Sequence, residues 1–299
     1  YEAHYLQVST GDIFNLNFEF GYEILVRVFS FLGFEFHQFI AVVSVVEILL
    51  IASAVRFFFP KYCLWIMALM YAIPDFYLIP SFSLVRQGLA VSLFFYGVRC
   101  YVGNRKLLPW LVFGLAISFH YSVIGALFFL LLAFKVKISK NVFAILFTVA
   151  CSLYLLSIDV VRSLVESLVL YLDPKYLIYL QRDVYNASLL YRGMYAAVSL
   201  FAFVLLYVSW DRRIFVGERF SSSESSIHRL AMLGVLIPLV VYGFPTFSTR
   251  YQYFFCIFTL GVSLTALEFF NARDKLIVFV ITCLLACVPF YRFLVSPLS

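Results

Sequence analysis

Apolar runs of helix length recur along this chain, and no other feature constrains its fold as strongly. They cover 37–59, 62–82, 84–102, 107–134, 142–158, 193–210, 229–246, 250–270 and 275–295. About twenty apolar residues cross the hydrocarbon core of a bilayer as an α-helix. Outer-membrane strands are shorter and alternate in polarity, so these runs read as helices. Composition agrees: 64% of the 299 residues are hydrophobic and 13% are charged, whereas a soluble domain is nearer half apolar and a quarter charged. A soluble surface cannot hide so much apolar area. Lipid can, provided every backbone polar group is satisfied within its own segment. The expected fold is therefore all-α, a polytopic integral membrane protein of about ten membrane helices, with 1–299 as a single membrane domain.

Basic residues orient the spans, because cytoplasmic loops collect Lys and Arg. The net charge of +6 is thus a matter of sidedness and gives no sign of a nucleic-acid partner. Arg56 and Lys61 put the first connector inside, and 74–83, whose one charge is Asp75, falls outside. Arg99, Arg105 and Lys106 are inside again. Lys135, Lys137 and Lys140 are also basic, after one apparent span. Two consecutive inside connectors contradict a single crossing at 107–134. The conflict resolves if that run enters and returns, as two short helices of about 20 Å each or a re-entrant pair, broken near Ser118–Ser122 around His120. Segments 1–36 and 159–192 are then periplasmic, 211–228 is a cytoplasmic loop, 245–249 is outside and 271–275 inside. Of the 22 Lys and Arg, 14 fall inside and the remaining 8 outside. An outer 1–36 also calls for a membrane helix or signal ahead of Tyr1.

The polar residues left on the outer side are the candidates for chemistry. They are Glu19, Glu23 and Arg27; Asp75, Arg86 and Gln87; His120; Arg192; Arg250; and Arg292. An interfacial Arg is costly and reads as functional by default, and its planar fork suits phosphate. Several converging on one cavity suggest a diphosphate ligand, with His and Glu available for acid–base work. Each has a plainer reading. Arg86 and Gln87 end a helix and can snorkel; His120 can be a satisfied core histidine; Arg250 can pair with the hydroxyl of Tyr251 or Tyr253; Glu19 can be a surface carboxylate. The six Cys are scattered without a CxxC and read as small buried hydrophobes. The Asn186–Ser188 sequon reads as chance. No P-loop, HExxH, GxSxG, Rossmann-like unit or acidic metal pair occurs, which argues against a cytoplasmic nucleotide-sugar donor.

Four short motifs, in order, resemble one family. Glu19-Phe-Gly-Tyr22 is similar to its E-x-G-Y/F element, and Leu84-Val-Arg86-Gln87-Gly-Leu-Ala90 to its helix start. Ser118-Phe-His120-Tyr-Ser122 is similar to its FHxS element, and Arg250-Tyr-Gln-Tyr253-Phe-Phe to its late R-x-x-Y element. The chain thus resembles the EpsG-like family of bacterial polysaccharide polymerases, of the Wzy type, from its first residues to about Phe270. The resemblance implies a GT-C-like glycosyltransferase of the bacterial inner membrane that needs no cofactor. Its donor and acceptor would be polyprenyl-diphosphate-linked oligosaccharides, with a flippase and a chain-length regulator as further partners. The chemistry of the residues is compatible with that activity: Arg86 and Arg250, with Arg192, can meet the charge on the leaving diphosphate; Glu19 or His120 can take the acceptor's proton, Glu19 being the preferred base and His120 a phosphate or acceptor contact; and Gln87 and Tyr253 join the substrate-binding set. The tyrosines of 159–192 (Tyr171, Tyr176, Tyr179, Tyr185 and Tyr191) would stack sugars, or merely sit at the interface.

Other readings stand beside this one. A glycan ligase would share the residues. A transporter would show inverted repeats and polar residues throughout the span; the charges here gather towards one face. An O-acyltransferase would need its His on the cytoplasmic side, opposite to His120.

Overall fold

In a computed structural model of the chain, residues 1–9, 18–72, 85–159, 163, 189–210, 224–242 and 245–271 are described. Every regular element among them is helical: α1 (Glu2–Ser9), α2 (Phe20–Phe31), α3 (Phe36–Phe58), α4 (Cys63–Ala72), α5 (Val85–Val102), α6 (Leu108–Phe119), α7 (Ser122–Lys135), α8 (Lys140–Leu155), α9 (Leu189–Ser209), α10 (Glu224–Val240) and α11 (Pro245–Ala266), with single 3-10 turns at Pro60–Tyr62 and Leu267–Phe269. Packing divides the chain into two compact units, Tyr1–Phe128 and Phe129–Ser299.

The first unit is built round α5. Its residues from Gln87 to Phe95 are buried without a break, as befits a helix apolar on every face. It packs against α3 and α6. Gly97 lets α6 close in, since a Cβ there would stand 2.5 Å from the Phe113 ring. Side-chain contacts fix which helix ends lie together. At one end Arg86 meets Glu19 and Tyr1, Tyr5 packs on Phe36 and Phe39, and Gly21 abuts Ser118. At the other end Arg99 bonds Ser53 and lies over Phe57, while Tyr101 meets Trp110. Arg56, Lys61, Arg105 and Lys106 adjoin this second end in sequence. The basic connectors and the motif residues Glu19, Arg86 and His120 therefore sit at opposite ends of the first unit.

The second unit alternates in the same way. Trp210 packs on Phe143 and His228 and Asn141 receives the Tyr207 hydroxyl at 3.2 Å, all at one end. Tyr154 meets Tyr195 and Tyr242 at the other. Gly234 allows α10 and α11 to touch: a Cβ there would lie 2.9 Å from Phe255 Cβ.

Three of these helices are long and apolar enough to cross a membrane: Phe36–Phe58, Arg192–Ser209 and Tyr251–Phe269. Four more are apolar but shorter. Two of the short ones divide the 107–134 run where the charge count requires. α6 stops at Phe119, His120 is extended, and α7 starts at Ser122. At 1.5 Å per residue they measure about 18 and 21 Å, each short of the roughly 30 Å core. Several boundaries differ from the sequence reading. Segment 1–36 holds two helices, α9 begins inside the expected loop 159–192, and α10 begins inside 211–228. Apolar windows start at the first apolar residue, whereas helices extend into polar interfacial turns. The run 275–295, Asp75, Arg292 and most of 159–192 lie outside the described residues.

The α2–α3 connection shows how local chemistry aims the N-terminal segment. α2 closes with Gly33 at φ 79°, where Gly33 N–H donates to Ser30 O and Phe34 N–H to Phe29 O, both at 3.0 Å. The Phe29 and Phe34 rings meet across the turn at 5.1 Å, completing a Schellman closure. Glu35 and Gln38 then cap α3 reciprocally. Gly33→Ala is expected to cost about 1–2 kcal/mol, because a Cβ disfavours left-handed backbone. Denaturant unfolding of the purified protein in detergent would measure it.

Candidate functional site

The site begins with two helix starts. Glu19 is the N-cap of α2, extended at φ −68° and ψ 143°. Arg86 stands in the first turn of α5. The Arg86 guanidinium donates to the Glu19 carboxylate and, through Nε, to the Tyr1 hydroxyl at 3.2 Å. Three rings surround it: Phe18 at 4.8 Å, Tyr1 at 5.6 Å and Tyr22 at 5.9 Å. Such cation–π contacts are worth about 0.5–2 kcal/mol each. An ion pair beneath an aromatic collar is therefore held in one geometry, with Arg86 only partly exposed. Gln87, next to it, is buried.

A second pair supports the first. Glu23 is almost wholly buried, and its two oxygens divide their partners. One lies 2.8 Å from His4 Nε2, and the other accepts from Arg27 at 3.1 and 3.3 Å. His4 in turn lies on Phe18, ring centroids 4.2 Å apart. Tyr5 donates its hydroxyl to Phe34 O at 2.7 Å. α1 is thus tied to α2 and to the start of α3, and this brings Tyr1 to Arg86. Burial, with Tyr1 and Glu23 beside it, pushes the Tyr22 hydroxyl well above its ordinary value, so it stays protonated.

His120 reaches the same end by a close approach. A Cβ on Gly21 would stand 2.8 Å from the Ser118 carbonyl oxygen. Only glycine lets α2 lie against the end of α6 there. Gly21 is two residues from Glu19, and Ser118 is two from His120. His120 caps α6 in extended backbone. Its Nδ1 accepts from Ser122 N–H at 3.1 Å and lies 2.7 Å from Ser122 Oγ. This network makes Nδ1 the acceptor and leaves the neutral ring's proton on Nε2.

The remaining candidates belong to the second unit. Arg192, in the first turns of α9, reaches Leu155 O at 3.5 Å, and Tyr195, one turn on, meets Tyr154. An apolar groove of about 570 Å³ runs between α8 and α9, from Tyr207 and Ala144 to Leu155 and Gly193. Arg250 lies in the second turn of α11, its side chain outside the described residues, and Tyr253 is buried. Glu19, Arg86 and the end of α6 are thus gathered by contacts. Sequence reasoning missed Tyr1 and His4, which carry no local signal and join the site only through long-range contacts.

A helical membrane protein with a charged aromatic site at the end opposite its basic connectors defines the class. The EpsG family model matches residues 1–298, so the chain belongs to the EpsG family, a family of polysaccharide polymerase-like membrane proteins. No curated protein and no solved structure matches the chain significantly.

Two substitutions test this construction. Gly21→Val should cost about 1–3 kcal/mol by overpacking against the Ser118 backbone and should lower activity together with stability. Glu23→Ala should cost about 3 kcal/mol, the low end for a broken buried pair, because Arg27 reaches solvent. Thermal unfolding in detergent reads both, and wild-type stability in either would contradict the packing described.

Proposed function

We propose that this chain is a polysaccharide polymerase. It joins oligosaccharide repeat units carried on polyprenyl diphosphate at the periplasmic face of the inner membrane, by a GT-C-like glycosyl transfer. The observation that carries the proposal is the Arg86–Glu19 pair, placed opposite the basic connectors in a chain of this family.

In the resting site the two charges neutralise each other. Arrival of a diphosphate offers Arg86 a bidentate acceptor and frees the Glu19 carboxylate. The acceptor hydroxyl loses its proton to Glu19 as its oxygen bonds to the donor's anomeric carbon. The bond from that carbon to the diphosphate oxygen breaks, and the lipid diphosphate leaves with the electron pair. Arg86 stabilises the charge that develops on it, and the sequence offers Arg192 and Arg250 as further substrate-binding residues. His120, with its proton on Nε2, donates to a phosphate or acceptor oxygen, and Gln87 and Tyr253 complete the binding set. The apolar groove between α8 and α9 suits the carrier's prenyl chain. A flippase would deliver the substrate, and a chain-length regulator would act on the product.

Surface glycan from a strain lacking the gene should be single-repeat, and wild type should restore a ladder. Arg86→Ala and Arg250→Ala should leave single repeats while the protein still accumulates in the membrane. Arg86→Lys should restore little, since a point charge cannot replace the guanidinium fork. Gel electrophoresis of the glycan reads all of these. A full ladder without the gene would refute the polymerase reading, and normal ladders from both Ala variants would refute the diphosphate clamp.

A further inference from the structure

Two ring pairs bridge α8 and α9. Phe147 stacks on Phe203 with centroids 4.2 Å apart, and Tyr154 meets Tyr195 at 5.7 Å towards the C-terminal end of α8. Rings of this size set the separation of the two helices. The other facing residues are mostly small: Ala144, Thr148 and Ser152 from α8, and Gly193, Ala196 and Ala197 from α9. Small side chains cannot fill a spacing that aromatic rings impose, and the groove of about 570 Å³ is what they leave. Its lining is apolar in spite of two hydroxyls. Thr148 Oγ1 donates to Ala144 O and Ser152 Oγ to Thr148 O, each at 2.9 Å, so both bond back into their own helix. Thr148, Ser152 and Ala197 are exposed, so the groove is accessible from the flank of the helix pair. A hydrocarbon chain suits such a lining.

Polar groups gather at one mouth. Arg192 Nη1 donates to Leu155 O at 3.5 Å, and Leu155 and Gly193 line that end of the groove, so the guanidinium stands where the apolar lining stops. Tyr242 joins Tyr154 there, rings 5.0 Å apart. Burial and Asp159 push the Tyr242 hydroxyl above its ordinary value while Arg192 draws it down, so charges of both signs stand close to it. At the opposite end Tyr207 donates to Asn141, and Lys140 lies over the Tyr207 ring at 5.2 Å. By the positive-inside map the Arg192 mouth is the outer one. Bulk anionic lipid belongs to the cytoplasmic leaflet and gives no reason for an arginine here. An apolar groove that ends at an arginine is complementary to a chain that ends in an anion. We propose that the α8–α9 groove, with Arg192 at its mouth, anchors one polyprenyl diphosphate wholly within the second unit, separately from the Arg86–Glu19 pair. The identity of the lipid rests on the polymerase reading; the groove and its charged mouth do not. Transfer between two carriers holds two such lipids at once, and Arg86 accounts for one.

The test uses the full chain in phosphatidylcholine nanodiscs, with undecaprenyl diphosphate as the probe and native mass spectrometry to count retained lipid. Arg86→Ala is the background, so that lipid held by the first unit is not counted. This variant should retain the probe saturably. Adding Arg192→Gln, or Ala197→Phe to fill the groove from an exposed position, should weaken retention about tenfold or more. Undecaprenol, which has the chain without the charge, and phosphatidylglycerol should each compete poorly at equal concentration. Retention unaltered by Ala197→Phe would overturn the groove as the site. Equal competition by undecaprenol would overturn the role of Arg192, and equal competition by phosphatidylglycerol would make the site one for any anionic lipid. If Ala197→Phe does not fold, the Arg192→Gln and undecaprenol arms decide. The polymerase reading falls separately, on a full glycan ladder without the gene, whatever the discs retain.

Discussion

The pairing of Arg86 with Glu19 is the interaction on which the motif-bearing end of the first unit depends. α5 is buried along most of its length, so its first turn cannot swing into solvent to hydrate an arginine. The charge must be met in place, and the N-cap of α2 meets it. This explains why the N-terminal segment is so heavily fastened. Glu23 holds His4 and Arg27, Tyr5 holds the α2–α3 turn, and Gly21 holds the end of α6. Each contact fixes a part of the frame in which Glu19, Arg86 and Tyr1 face one another.

Much of this was legible in the sequence, for physical reasons that differ by element. Long apolar runs announce membrane helices because lipid leaves the backbone no other partner. The break at His120 was legible from charge alone: two basic connectors cannot flank one crossing, and the chain divides there into α6 and α7. Gly21 was visible as a motif glycine, but its reason appears only when Ser118 is seen against it. What the sequence hides is pairing over distance. His4 and Glu23 are nineteen residues apart and Tyr1 and Arg86 eighty-five, and no periodicity links them. Helix starts at Leu189 and Glu224 were missed because polar interfacial turns look like loop.

The way the first unit treats charge bears on function. At its motif end Glu19 is matched by Arg86, and Glu23 by His4 and Arg27. A matched pair is a site that an anion can enter by exchange, with the released carboxylate available as a base. In the second unit, Arg229 donates to the Ser225 and Ser226 hydroxyls among the described residues.

The central claim is that the charged motif residues face the periplasm and the basic connectors the cytoplasm. It is tested most directly by placing single cysteines at position 120 and at position 105 in a variant without the native cysteines. Each is then exposed to a membrane-impermeant thiol reagent in intact spheroplasts. The account predicts labelling at 120 from outside, and at 105 only after the membrane is opened. Labelling at 105 in intact spheroplasts, with 120 silent until lysis, would invert the molecule and contradict the account.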